Sequence, residues 1–287
     1  METYLISISV FTTIILSLVL ILFLVEKFII KAQDCVISIN GDSKNNITVP
    51  SGTNLLTALS NAKIFLPSAC GGGGSCAMCK LKVNDGGGDA LATEIPHLSV
   101  NERKDSVRLG CQVKVKNDLK IEVPDEIFSI QKFDCEVVSN DSVATFIKEL
   151  KLKLLGAEDL NFEAGGYIQI DIPEYHDLKF SGFDVEDEYH PDWDQYKIWD
   201  LVANNDESVF RAYSMANHPA EGNRVMLNVR IATPPPPLWN EAPPGLASSY
   251  IFNLKPGDKV TVSGPYGEFF IKDTEREMIY IGGGAGM

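Results

Sequence analysis

The sequence predicts a multidomain chain in four parts. These are an N-terminal apolar helix, a compact α+β unit around a cysteine-bearing glycine loop, an antiparallel β-barrel, and the opening strand and turn of an α/β unit. Three observations carry this prediction. Residues 4–25 contain no charge; Cys70, Cys76 and Cys79 share one glycine-rich loop, with Cys111 beyond it; and short apolar runs punctuated by Pro and Gly lead to a final Gly282-Gly283-Gly284-Ala285-Gly286 turn.

The apolar segment over 4–25 is dominated by Ile, Leu, Val and Phe. As a helix its 22 residues would extend about 33 Å, enough for a hydrocarbon core of roughly 30 Å. A cleaved signal peptide fits poorly, because only Glu2 precedes the segment and no small-residue cleavage site stands before Glu26. A transmembrane helix is therefore expected. Lys27 and Lys31 follow it, which places the bulk of the chain on the cytoplasmic side.

With 45% hydrophobic and 22% charged residues, the remainder has the composition of globular domains. A net charge of -14 excludes nucleic acid as a partner, since phosphate binding needs clustered Lys and Arg. Eleven acidic residues lie between Glu174 and Glu207 against only Lys179 and Lys197. This stretch reads as a solvated surface insertion or as a docking surface for a partner subunit.

From residue 34 to 127 the pattern is that of a compact β-rich unit. Residues 36–40 alternate and residues 47–49 return as a second strand after a turn. Thr53 is expected to cap a short helix over 54–62. Residues 64–90, with seven glycines, read almost entirely as loop, a length that needs something besides an apolar core to hold it. A second short helix over 99–106 and a closing strand over 119–123 complete the unit.

A second unit, residues 131–274, shows strand-like runs at 135–138, 167–172, 225–231 and 259–262, the spacing of an antiparallel barrel. A third begins at Met278, where an apolar strand enters the glycine turn and the sequence stops at Met287. A nucleotide-binding domain is expected to follow residues 278–287, and none is present in this sequence.

Cys70-x5-Cys76-x2-Cys79 with a distant Cys111 supplies four thiolates in a 3+1 layout. Zinc sites of this kind use two C-x2-C knuckles, and only one exists here. The layout instead fits a ferredoxin-type 2Fe-2S cluster. Glycines between the first ligands let backbone N–H groups approach the cluster. Cys35 and Cys135, in apolar strand-like runs, read as small buried hydrophobes. His97, His176, His190 and His218 lie outside the loop and read as surface residues.

Arg211-Ala212-Tyr213-Ser214 joins a guanidinium suited to pyrophosphate, a ring able to stack on an isoalloxazine and a hydroxyl able to reach a ring nitrogen. The pattern is weak alone. Gly245-Leu246-Ala247-Ser248-Ser249 adds to it, because a short helix over 248–254 would offer its N-terminal N–H groups to the same pyrophosphate.

In this order, the apolar anchor, the four cysteines, Arg211-Ala212-Tyr213-Ser214, Gly264-Pro265-Tyr266-Gly267 and the final glycine turn, the chain resembles the family of F subunits of bacterial sodium-translocating NADH:quinone reductases. The resemblance implies a β-grasp ferredoxin domain and an FAD-binding barrel. It implies that hydride passes from NADH to FAD, then single electrons to the 2Fe-2S cluster and on to other membrane subunits that reduce quinone. It assigns Arg211, Ser248 and Ser249 to FAD, Tyr213 and Ser214 to the flavin ring where the chemistry occurs, and Gly282, Gly283, Gly284 and Gly286 to NADH. The implied location is the bacterial inner membrane. A reductase component of an oxygenase, built from the same modules, is the alternative; the membrane span and the x5 spacing stand against it.

Overall fold

The computed structural model describes residues 2–29, 34–156, 160–239, 241–267 and 269–281. Helix α1 (Glu2–Ile29) opens the chain, and its described side chains, Tyr4 and residues 6–21, are exposed. Among the described residues no helix is long and apolar enough to cross a membrane. The expected span over 4–25 is therefore not shown among the described residues.

The first unit is a mixed five-stranded sheet: β1 (Asp34–Ile39), β2 (Asp42–Pro50), β3 (Lys80–Asp85), β4 (Val107–Leu109) and β5 (Leu119–Glu122), in the order β2-β1-β5-β3-β4. The first and last strands are parallel neighbours, with Ile37 opposite Leu119 and Ile39 opposite Ile121. Helix α2 (Leu55–Asn61) buries Leu55, Leu56, Ala58 and Leu59 on this sheet. Its cap is Asn54 rather than the expected Thr53: the Asn54 side chain accepts from the Leu56 and Thr57 N–H groups, while the Thr53 hydroxyl donates to Pro50. Helix α3 (Val100–Lys104) begins at a capping box formed by Ser99 and Glu102. Strand β3 corrects the expectation that residues 64–90 are almost all loop. Lys80-Leu81-Lys82-Val83 alternates, and Leu81 and Val83 are buried.

The second unit contains β6 (Gln131–Ala144), β7 (Ile147–Leu154), β8 (Tyr167–Ile172), β9 (Tyr175–Lys179), α4 (His190–Gln195), β10 (Val202–Asn205), β11 (Val209–Ser214), β12 (Arg224–Arg230), α5 (Leu246–Asn253) and β13 (Lys259–Tyr266). Six strands form one antiparallel sheet in the order β11-β8-β13-β6-β7-β12. The expected closed barrel is corrected to a sheet whose ladder stays open. Among the described residues its edges are joined by the isolated bridge Met215–Leu227, and the next residues pair differently. The Asn217 amide donates to the Arg224 carbonyl and accepts from the Met226 N–H, taking ladder positions with a side chain.

The acidic stretch proves to be anchored from within. Phe180 and Trp193 are fully buried, Ile198 nearly so, and the Trp193 indole N–H donates to the Thr145 carbonyl at 2.7 Å. The acidic side chains Asp184, Glu186, Asp187 and Glu188 point outward. A solvated insertion therefore describes one face only; the other belongs to the core of the second unit.

The strand expected from Met278 does not form. Ile279, Tyr280 and Ile281 are exposed and without regular structure, since among the described residues no neighbouring strand supplies hydrogen bonds. The glycine turn at Gly282, Gly283, Gly284 and Gly286 lies outside the described residues.

Candidate cluster and flavin sites

Three elements bring the four thiols together. Cys79 directly precedes β3, whose Lys80 pairs with Leu109 of β4, and the Gly110 N–H bonds the Cys79 carbonyl at 2.8 Å. Cys111 thus arrives beside Cys79. The Asn54 amide donates to the Cys111 carbonyl at 2.6 Å, so the residue that caps α2 also holds the fourth thiol. Buried Ser68 accepts from the Gly72 N–H at 3.1 Å and fixes the start of the loop.

The thiols form two pairs. Cys70 Sγ and Cys76 Sγ are 3.3 Å apart, and Cys111 is set beside Cys79 by the Gly110–Cys79 backbone bond and the Lys80–Leu109 pairing. Among the described residues no three His, Cys, Asp or Glu side chains gather around one metal-ion position. A tetrathiolate zinc site needs all four sulfurs around one ion. Two pairs fit a two-iron cluster with two cysteines on each iron.

The loop backbone carries the electrostatics. Partial burial pushes the Cys70 thiol up, but N–H groups of Cys76, Ser75 and Gly72 and the Cys76 thiol outweigh it and bring it down to about 6. Cys111 is lowered to about 7, first by the hydrogen bond from Cys79, against burial, with help from Gln112 and the Gly74 N–H. Cys79 is raised, by that same bond and by burial. Donors aimed at sulfur are what an anionic cluster requires. The turn needs positive φ at Gly71, Gly72 and Gly74, as expected from its glycines.

Glu94 and Arg108 were not legible as site residues. Arg108 Nε and Nη2 donate to the Glu94 carboxylate at 2.9 and 2.6 Å, and Nη1 donates to the Gly87 and Gly88 carbonyls. Glu94 also accepts from the N–H groups of Leu91 and Leu109. The pair is buried and clamps the second glycine run to the strand leading into Cys111. Separated by 14 positions, these residues form no local motif. Cys35 and Cys135 are buried hydrophobes, and burial lifts the Cys135 thiol to about 12.

On the flavin side, Arg211, Tyr213 and Ser214 share β11, an edge of the second sheet. Arg211 Nη1 donates to the Phe210 carbonyl at 2.8 Å. Tyr213 is half-buried, its hydroxyl raised to about 12 by burial despite nearby Arg211; Ser214 is exposed. A ring, a guanidinium and an exposed hydroxyl along one edge suit a flat heterocycle bearing phosphates. Helix α5 starts at Leu246, earlier than expected. Ser248 and Ser249 are buried, and both hydroxyls donate to the Gly245 carbonyl, at 3.0 and 2.7 Å. Their side chains are engaged within the protein, leaving the N-terminal backbone of α5 as the group it can offer an anion.

Residues 37–116, which include all four thiols, match the 2Fe-2S iron-sulfur cluster binding domain. Residues 194–271, which include β11 and α5, match the oxidoreductase FAD-binding domain. The chain is 54% identical over 280 residues to the F subunit of the Na(+)-translocating NADH-quinone reductase of Neisseria meningitidis, covering 98% of this chain and 68% of the relative. This chain belongs to the family of that F subunit. The corresponding F subunit of Mannheimia succiniciproducens is 52% identical over 286 residues, covering 100% of this chain and 69% of the relative. As a member of this family, the chain joins a 2Fe-2S domain and an FAD domain on one polypeptide. Among solved structures, the ferredoxin reductase in carbazole 1,9a-dioxygenase is 26% identical with a TM-score of 0.49, covering 89% of this chain and 68% of that one.

Proposed function

We propose that this chain is the electron-input subunit of a sodium-translocating NADH:quinone reductase. FAD accepts hydride from NADH, and the 2Fe-2S cluster passes single electrons to partner membrane subunits. The pairing of four thiols under backbone donors carries the reading, joined to family membership. Cys70 and Cys76 would hold one iron, Cys79 and Cys111 the other. Arg211 and the N-terminal backbone of α5 would hold the FAD phosphates, the hydroxyls of Ser248 and Ser249 being turned onto the Gly245 carbonyl, and Tyr213 and Ser214 would face the ring. Gly282, Gly283, Gly284 and Gly286 would begin the NADH site. The proposed units are residues 34–127 for the cluster, 131–274 for FAD and 278–287 for the start of the NADH domain. The alternative is a reductase component of an oxygenase, and the 54% identity to the F subunit of the quinone reductase favours the first reading over it.

Purified chain should contain about two irons and two acid-labile sulfides with FAD bound; zinc in their place would overturn the reading. Tyr213→Ala removes the stacking surface, so FAD occupancy should fall while iron content stays intact. Unchanged flavin content would refute the stacking role.

We also infer that α1 anchors the chain in the bacterial inner membrane as a single span over 4–25, with the remainder on the cytoplasmic side. Thr13 and Ser17 hydroxyls donate to the carbonyls of Ser9 and Thr13, each at 2.8 Å, which satisfies these two polar groups inside the helix. Deleting residues 1–29 should move the chain from the membrane pellet to the supernatant in cells lacking the partner subunits. A full-length chain that alkaline carbonate extracts from membranes would disprove the anchor.

A further inference from the structure

The cluster unit and the flavin unit meet along a tight seam. Phe210 of β11 packs against the core of the first unit, and Tyr266 is part of that core. The Gln169 amide donates to the Leu66 carbonyl at 3.3 Å. Lys132 lies over the Phe65 ring at 5.5 Å. The crevice that Leu56, Leu66, Gln169 and Phe210 share has a volume of only about 10 Å³, room for no more than one water.

At one point the cluster loop touches the flavin strand through a residue without a side chain. A Cβ on Gly71 would stand 1.9 Å from Arg211 Nη1 and 2.5 Å from the Phe210 carbonyl oxygen. The guanidinium ends a flexible side chain and can swing aside. The Phe210 carbonyl is backbone in a paired strand, opposite Asp171, and cannot. Gly71 directly follows Cys70, and Arg211 stands two positions before Tyr213. The close approach of Gly71 to β11 therefore brings the residue after the first cluster thiol against the strand that carries the flavin residues.

We propose that Gly71 is a positioning residue, the seat on which the cluster loop docks against Phe210 and Arg211 of the flavin strand. Its missing side chain sets how closely the two cofactor sites approach. This rests on the cofactor assignment above. A side chain here would lift the loop off β11 while leaving the four thiols and the flavin strand intact within their own units. Gly52, outside the cluster loop, supplies the control: its φ is +94°, more demanding than the +61° at Gly71, yet a Cβ there meets nothing within 4 Å. Gly52→Ala thus imposes backbone strain without the collision.

The test uses full-length chain with iron and FAD content measured first. Wild-type protein lacking either cofactor would refute the cofactor assignment itself. With both present, flavin fluorescence and cluster absorbance are followed through thermal unfolding, and the reduction of the cluster by photoreduced flavin is timed. In that step one electron leaves the reduced flavin, its accompanying proton goes to solvent, and the oxidised cluster gains that electron. Gly71→Ala should separate two unfolding transitions that coincide in the wild type and in Gly52→Ala. It should also slow the transfer by about tenfold or more, as small misplacements of reacting groups do. Should Gly71→Ala fail to hold its cluster, Phe210→Ala, which weakens the same seam from the flavin side, decides by the same two readouts. Coincident unfolding with wild-type transfer, in Gly71→Ala or in the variant that replaces it, would overturn the proposal.

Discussion

Cys76→Ala is expected to abolish the low-temperature EPR signal of the reduced cluster while FAD stays bound. Cys76 and Cys70 form one of the two thiol pairs, 3.3 Å apart, so its loss leaves one iron with a single protein ligand. Metal binding and loop order are linked, and residues 71–76 are only partly buried or exposed. Iron loss should therefore also expose the loop to proteolysis. FAD retention is expected because β11 and α5 belong to the other sheet unit. A persistent EPR signal of wild-type intensity would refute Cys76 as a ligand.

Glu94→Ala is expected to destabilise the cluster unit by about 3–5 kcal/mol, since breaking a buried ion pair leaves an uncompensated charge. Arg108 would keep its Gly87 and Gly88 carbonyls but lose its counter-charge, and the Leu109 N–H would lose its acceptor two positions before Cys111. The double variant with Arg108→Met should recover part of the loss, because the buried charge is then gone. Urea unfolding followed by circular dichroism measures both, and a single variant with an unchanged midpoint would refute the clamp. The pair also predicts acid sensitivity. Burial alone would raise Glu94, but hydrogen bonds from Arg108, Leu91 and Leu109 hold it below its ordinary value of 4.5. A depressed folded pKa contributes stability above the ordinary value and loses it as pH falls through the folded one. Below about pH 4.5 the wild type should lose stability more steeply than Glu94→Gln.

The cluster loop was legible because its constraints are local. Three thiols within ten residues, a fourth at a distance and glycines between them already require positive φ and inward N–H groups, and the structure has both. Strands β3 and β7 were not legible. In β7 the inward positions begin with Lys148, buried with its amine on the Asn140 carbonyl, and an inward lysine breaks the expected alternation. The acidic stretch misled for the opposite reason. Its outward face dominates the composition, while Phe180, Trp193 and Ile198 act through spacing that only the folded chain brings together. The hydroxyls of Ser248 and Ser249 carried a phosphate-binding expectation, but a helix that starts at Leu246 turns both onto the Gly245 carbonyl.

The sequence by itself determined which residue types stand together: four thiols in a 3+1 spacing, an Arg-Ala-Tyr-Ser run, and a charge-free segment over 4–25. These follow from residue type and short spacing, which the chain carries whether folded or not. Only the tertiary structure decided the pairing of the thiols two by two, the Glu94–Arg108 clamp, the open edge between β11 and β12, and the meeting of Gly71 with Phe210. Those contacts join residues far apart in sequence, and their geometry is set by the packing of two separate cores, which no local pattern encodes.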